Sequence, residues 1–235
     1  MRALMFDFFG TLVEYQPDRS RLGSPLTYEL ASSMGFAGDH KGFVRIWDAA
    51  SLGLEQAARH TMQEFSMTDA ANAFGAAAGI PLSHDLAVAL GQSFVTEWAQ
   101  HITPIDGASD LIRHLAEEYT IAVVSNTHDS SMVPNMLDKM GIEGHVSAVV
   151  LSVEHGRLKP HPSIYAAALD RIGCPAAEVA FVGDSYEADY SGPLQAGMSA
   201  FLVDPAFEHD IPALHRLTSV LDIVESMGRG EDCDQ

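Results

Sequence analysis

Ala3-Leu4-Met5-Phe6-Asp7-Phe8-Phe9-Gly10-Thr11-Leu12 is the stretch on which the fold turns. Its first four residues are apolar with β character, and they deliver a carboxylate into a Gly-Thr turn. The pattern predicts a buried strand with a reactive group at its end. A carboxylate so placed can act as a nucleophile or as a metal ligand. Two positions on stands Phe9, whose side chain neither donates nor accepts a proton.

Working outward, the first strand is expected over residues 2–8, and similar apolar runs recur at 120–125, 146–151, 178–183 and 199–203. Helical patterns at 109–118, 163–172 and 190–197 separate the later ones. Strands alternating with helices of that length predict right-handed βαβ crossovers and a parallel α/β sheet covered on both faces. Residues 16–102 interrupt this rhythm with several amphipathic helices and almost no β-like run. In one of them Leu86, Leu90, Phe94 and Trp98 recur every fourth residue, a stripe that reads as core packing. A helical insertion directly after a candidate catalytic strand is well placed to act as a lid. The expected division is therefore a core over residues 1–15 and 103–227, a helical insert over 16–102 and a frayed acidic tail over 228–235. Ile102-Thr103-Pro104-Ile105-Asp106-Gly107 reads as the hinge back to the core.

Composition narrows the function. The chain has 235 residues, 47% of them hydrophobic, enough for one large domain or a core plus a lobe. Its 32 acidic residues against 13 Lys and Arg give a net charge of -19. That argues against nucleic acid and against an anionic membrane surface as partners. No apolar run approaches the ~18 residues of a membrane span. The two cysteines, Cys174 and Cys233, are neither a disulfide framework nor a metal cluster. No secretory leader is recognisable, and a reducing, cytoplasmic location is expected.

Four groups fall at one edge of the expected sheet. Asp7 ends the first strand, Ser125-Asn126 the second, Lys159-Pro160 follows the third, and Gly183-Asp184-Ser185, with Asp189, ends the fourth. Ligand crevices of open parallel sheets lie at that edge. Each residue type suits phosphate-like chemistry. A carboxylate splits a displacement into two steps through a covalent adduct. A hydroxyl with backbone N–H groups holds anionic oxygens, and a lysine balances the charge. Asp7 and Asp184 can share one Mg²⁺, which takes oxygen ligands and relieves the repulsion between carboxylates and an anionic substrate.

These residues resemble the motifs of the haloacid dehalogenase (HAD) superfamily, in the branch with a helical cap (C1) after the first motif. The likeness is carried by Phe6-Asp7-Phe8-Phe9-Gly10-Thr11-Leu12, Val123-Val124-Ser125-Asn126, Lys159-Pro160 and Gly183-Asp184-Ser185 through Asp189. It extends through His161-Pro162-Ser163-Ile164-Tyr165 and Gln195-Ala196-Gly197. The resemblance implies a Rossmann-like core with an inserted helical cap domain, and Asp7 as nucleophile and metal ligand. Gly10, Thr11, Ser125 and Asn126 would contact or order the transferring group. Lys159 would steady Asp7 and its adduct. Asp184, supported by Asp189 and the carbonyl of Phe9, would hold Mg²⁺.

One departure bears on the activity. The family's phosphatases look like Asp-x-Asp in the first motif, and the second Asp protonates the leaving group. Phe9 stands there. Losing a general acid costs about 10²–10⁴-fold. Its dehalogenases carry an aromatic at this point and use no metal, but their fourth motif lacks the Gly-Asp-Ser form. Its phosphonate hydrolases use a cap lysine, and Lys41 lies in the insert without matching flanks. Tyr15, His40, Arg45 and His60 are cap candidates for a substitute acid; His128 and His155 are candidates for lining the crevice, and His161 for capping a helix. The expectation is a Mg²⁺-dependent hydrolase of a small, anionic phosphorylated metabolite, acting as monomer or homodimer. Carbon–halogen hydrolysis through an aspartyl ester and a non-catalytic binding role stay open as alternatives.

Overall fold

A computed structural model gives the fold for residues 1–15 and 24–231. Its main sheet has six strands: β1 (Ala3–Phe6), β2 (Thr120–Ser125), β3 (Ala148–Leu151), β4 (Val179–Gly183), β5 (Ser199–Val203) and β6 (Arg216–Leu217). Their order across the sheet is β3-β2-β1-β4-β5-β6, and every neighbouring pair is parallel. Phe6 lies beside Val123 of β2 and Val182 of β4. The chain thus moves outward from β1 to β3, then returns to lay β4 on the other side of β1. That reversal is the topological switch point at which such sheets hold ligands. The α/β Rossmann-like sheet read from the sequence is the observed one. Its strands are buried on both faces, as parallel strands require. Met5, Val124 and Phe181 pack with Ile164 and Tyr165 of the helix Pro162–Ile172 on one side.

Three local expectations are corrected. β6 escaped notice because two residues carry no periodicity. The helix expected at 190–197 is a π-helical turn, Tyr186–Ser191, running into a short helix, Gly192–Gln195. The Asp189 carboxylate accepts the Ser185 N–H at 2.9 Å and draws that turn inward. The tail expected to fray from residue 228 is helical through Glu231. A capping box between Ser219 and Asp222 starts the preceding turn, and buried Ile223 anchors it. Cys233 and the end of the tail lie outside the described residues.

The chain divides into two compact units. The first comprises Met1–Glu14, Pro104–Thr127 and Val133 onward, and contains the sheet. The second comprises Tyr15–Thr103 with His128–Met132. Its helices are Pro25–Ser33, His40–Thr61, Met67–Ala78 and His84–Ala99. Each of the last three begins on a side-chain cap: Asp39, Ser66 and Ser83. Phe36, Phe43, Trp47, Phe74 and Phe94 fill the space between the helices, with neighbouring rings 4.8–6.1 Å apart. Of the predicted stripe, Leu90 and Phe94 are buried and Trp98 is half-buried, while Leu86 is exposed at the first turn of its helix.

Candidate active site

The center of the site is assembled by the carboxyl ends of β1, β2 and β4. Hydrogen bonding of the Asp7 N–H to Val182 O at 2.9 Å carries the β1–β4 ladder one residue past the strand and fixes where the carboxylate emerges. The chain then turns at Gly10, whose φ of +84° is one that side chains disfavour. A Cβ there would also overlap the Asp184 carboxylate, and one at Gly183 would overlap Asp189. Glycine at both positions lets the acidic groups approach. Asp7, Asp184 and Asp189 each offer an oxygen within 4.8 Å of the others.

Lys159 reaches this cluster from the connection after β3. Its ammonium donates to Asp7 Oδ1 at 2.7 Å, Asp189 Oδ1 at 2.7 Å and Val124 O at 2.8 Å. A lysine has three N–H donors, so all are taken. Phe181 of β4 lies under the ammonium, 5.0 Å to the ring center. Thr11 is fully buried, with its hydroxyl 3.4 Å from Asp7 Oδ2. Ser125 is fully buried as well, its hydroxyl 3.5 Å from Asn126 O.

Charge is out of balance here. Among the described residues, three carboxylates face one ammonium. Desolvation, then repulsion from Asp7 and Asp189, pushes the Asp184 carboxyl up to about 7, although Asp184 as a whole is exposed, unlike buried Asp7 and Asp189. Burial pushes Asp189 up to about 6 against the pull of Lys159. Burial alone would lower the Lys159 ammonium, but Asp189 and Asp7 together hold it above its ordinary value. Clustered, all-oxygen, under-compensated donors fit a hard divalent cation.

Not every expected residue takes its expected place. Asp7, Thr11, Lys159, Asp184 and Asp189 come together. Asn126 faces the main chain of Lys159: Oδ1 accepts the Lys159 N–H at 2.7 Å and Nδ2 donates to Lys159 O at 3.0 Å. Phe9 packs edge-on against Phe8, 5.1 Å between ring centers. His161 caps the helix Pro162–Ile172 as foreseen, its Nδ1 accepting the Ser163 N–H. His155 is drawn to the same cap, 2.7 Å from the Ser163 hydroxyl, and burial then neighbouring positive groups lower its pKa. His128 belongs to the helical unit, where it meets Glu64 at 3.0 Å and stacks on Phe65. In that unit Tyr15 packs on Trp98 and His40 on Tyr28, while Arg45, His60 and Lys41 are exposed on the helix His40–Thr61.

Sequence reasoning missed two anchoring side chains. Tyr165 is fully buried and donates to Ala188 O in the π-helical turn that carries Asp189. Glu97 is buried in the helical unit and accepts the Leu26 and Thr27 N–H groups, each at 2.7 Å. Its apolar neighbours, Phe94 three residues before and Trp98 one after, gave no sign that this carboxylate caps another helix.

The chain is similar to known proteins along most of its length. A family model described as haloacid dehalogenase-like hydrolase matches residues 1–197. A ribulose-1,5-bisphosphate 5-phosphatase of Halopiger xanaduensis is 26% identical over 213 residues, 88% of this chain and 87% of that protein. The human haloacid dehalogenase-like hydrolase domain-containing protein 3 is 33% identical over 139 residues, 54% of this chain and 55% of that one. Among solved structures, a 2-haloacid dehalogenase from Pseudomonas syringae superposes with a TM-score of 0.72 at 20% identity, covering 97% of this chain and 99% of that one. A HAD phosphatase from Thermococcus onnurineus gives 0.70 at 17% identity, covering 97% and 98%. Those two show the fold. With the family model spanning β1 to β4 and the acidic cluster alike, the chain belongs to the haloacid dehalogenase-like hydrolases.

Proposed function

We propose that the protein is a Mg²⁺-dependent phosphohydrolase of a small phosphorylated metabolite, with Asp7 as covalent nucleophile and Phe9 in place of the usual general acid. The observation that carries this reading is Asp184. A third carboxylate beside Asp7 and Asp189, with one lysine for all three, makes sense next to an anionic substrate only with a cation. Asp7, Asp184 and the Phe9 carbonyl, supported by Asp189, would hold Mg²⁺, which supplies charge neutralisation to the transferring group when bound. Phosphatases among the curated relatives support the same chemistry.

In this reading an Asp7 oxygen attacks phosphorus and the bond to the leaving oxygen breaks, that oxygen keeping the electron pair. Lys159, bound to Asp7 Oδ1 and Asp189 Oδ1, keeps Asp7 oriented for the attack. Ser125 at the end of β2 and Thr11 in the turn after β1 would meet phosphoryl oxygens. Water then attacks phosphorus, the Asp7–phosphoryl bond breaks, and inorganic phosphate leaves with the free carboxylate restored. Phe9 offers no proton to the departing oxygen, so substrates with acidic leaving groups should react best. The helical unit serves as the family's C1-type cap and selects the substrate. A reducing compartment suits Cys174, a buried free thiol.

The aromatic at position 9 favours a second reading, carbon–halogen hydrolysis through an aspartyl ester, since a departing halide needs no proton. Product release from an aryl phosphate, an alkyl phosphate and a 2-haloacid separates the two. The expected result is Mg²⁺-dependent phosphate release, faster for aryl than alkyl, and abolished in Asp7→Asn. Halide release without Mg²⁺ would replace the first reading with the second.

A further inference from the structure

Lys159 has a long way to travel. It leaves the sheet after β3, two strands from Asp7 in the order β3-β2-β1, yet its ammonium must sit between Asp7 and Asp189. Two reciprocal pairs tie that connection to the end of β2. The Ser152 hydroxyl accepts the Thr127 N–H at 2.8 Å and approaches Thr127 O at 3.2 Å. Next to it, the Asn126 amide accepts from and donates to the main chain of Lys159. An amide has an acceptor and a donor side by side, so it can bridge one residue's N–H and C=O as a neighbouring strand would. This orientation of the amide is the one that satisfies both groups. Position 126 adjoins Ser125, and Val124 O is itself an acceptor for the ammonium. Asn126 and Val124 thereby fix Lys159 at its backbone and at its tip.

We infer that Asn126 is a positioning residue that acts through Lys159, rather than a group that touches the substrate. Its amide sets the Lys159 backbone, and the backbone sets the reach of the ammonium to Asp7 and Asp189. Both ends of the lysine are fixed before substrate arrives, so the charge beside Asp7 is preorganised. Misplacement by about 1 Å costs on the order of 10²-fold in such arrangements. The effect on turnover rests on the phosphohydrolase reading, whereas the hold on Lys159 does not.

The chain has three lysines, Lys41, Lys139 and Lys159, and the first two are exposed. In protein labelled with ¹⁵N at lysine, Lys159 should give one Nζ–H signal protected from solvent exchange. Asn126→Ala should shift that signal or lose it to fast exchange. It should lower kcat by about 10–100-fold with KM nearly unchanged. Asn126→Asp keeps the acceptor for the Lys159 N–H, so it should move both readouts less, and it carries the test if Asn126→Ala does not fold. An unmoved Lys159 signal in both folded variants, with KM raised and kcat retained, would overturn the inference and make Asn126 a substrate contact. A lowered melting temperature with the signal unmoved would reduce it to a structural residue. If the wild type releases no phosphate, the phosphohydrolase reading fails, and the Nζ signal still decides the role of Asn126.

Discussion

Asp184 is a carboxyl group that folding makes harder to ionise. Its pKa is pushed up to about 7 by desolvation and by Asp7 and Asp189, against about 3.9 in an unfolded chain. Between those values the folded state binds more protons than the unfolded one, so stability falls as pH rises through that window. Asp189, pushed up to about 6, adds in the same direction. Metal-free protein in a chelator should therefore lose thermal stability from about pH 4 to pH 7, and calorimetry should show a flatter profile for Asp184→Asn. A wild-type profile that rises over this range would contradict the raised carboxyls. Position 9 gives a second residue-level expectation. Phe9→Asp returns a group able to exchange a proton, and it should speed alkyl phosphate release relative to aryl by about 10-fold or more, toward the ~10²–10⁴ of a general acid. Equal gains on both substrates would mean that proton transfer is not what Phe9 removes.

Among the elements, the helix Pro25–Ser33 shows how a long-range contact replaces a local signal. Its N-cap, Ser24, is in the left-handed region and makes no side-chain cap bond. Glu97, from the helix His84–Ala99, supplies both acceptors instead and also takes the Thr27 hydroxyl. Glu97→Ala strands these donors and should cost about 2–3 kcal/mol in denaturant unfolding. A loss within the noise would mean that water replaces the cap. The contrast with the sheet explains what the sequence disclosed. The ends of β1, β2 and β4 were legible because a short apolar run followed by a polar residue is a pattern within one segment. Asp7, Ser125 and Asp184 were placed by that pattern, and Lys159 by its motif. Glu97 on Thr27, Asn126 on Lys159 and Tyr165 on Ala188 were not legible, since each joins a side chain to main chain far along the sequence. Main-chain partners leave no imprint on residue type. The π-helical turn was misjudged although its bond is local, because Asp189 again binds a main-chain group, the Ser185 N–H four residues before it.

At the scale of the whole molecule, the net charge of -19 opposes the compact state by self-repulsion. Screening should raise the melting temperature as sodium chloride goes from about 10 to 150 mM. Mg²⁺ should raise it further than sodium chloride of equal ionic strength, because a ligand bound only by the folded state adds stability by mass action. That excess should vanish in Asp184→Asn; if it persists, Mg²⁺ is acting on the acidic surface at large. The three-acceptor seat of Lys159 has a practical result. Its amine is held protonated and screened from reagents, while Lys41 and Lys139 stand open. Amine-reactive dyes or resins should couple to those two lysines and pass Lys159 by, so the protein can be tagged or immobilised through its lysines with the acidic center untouched.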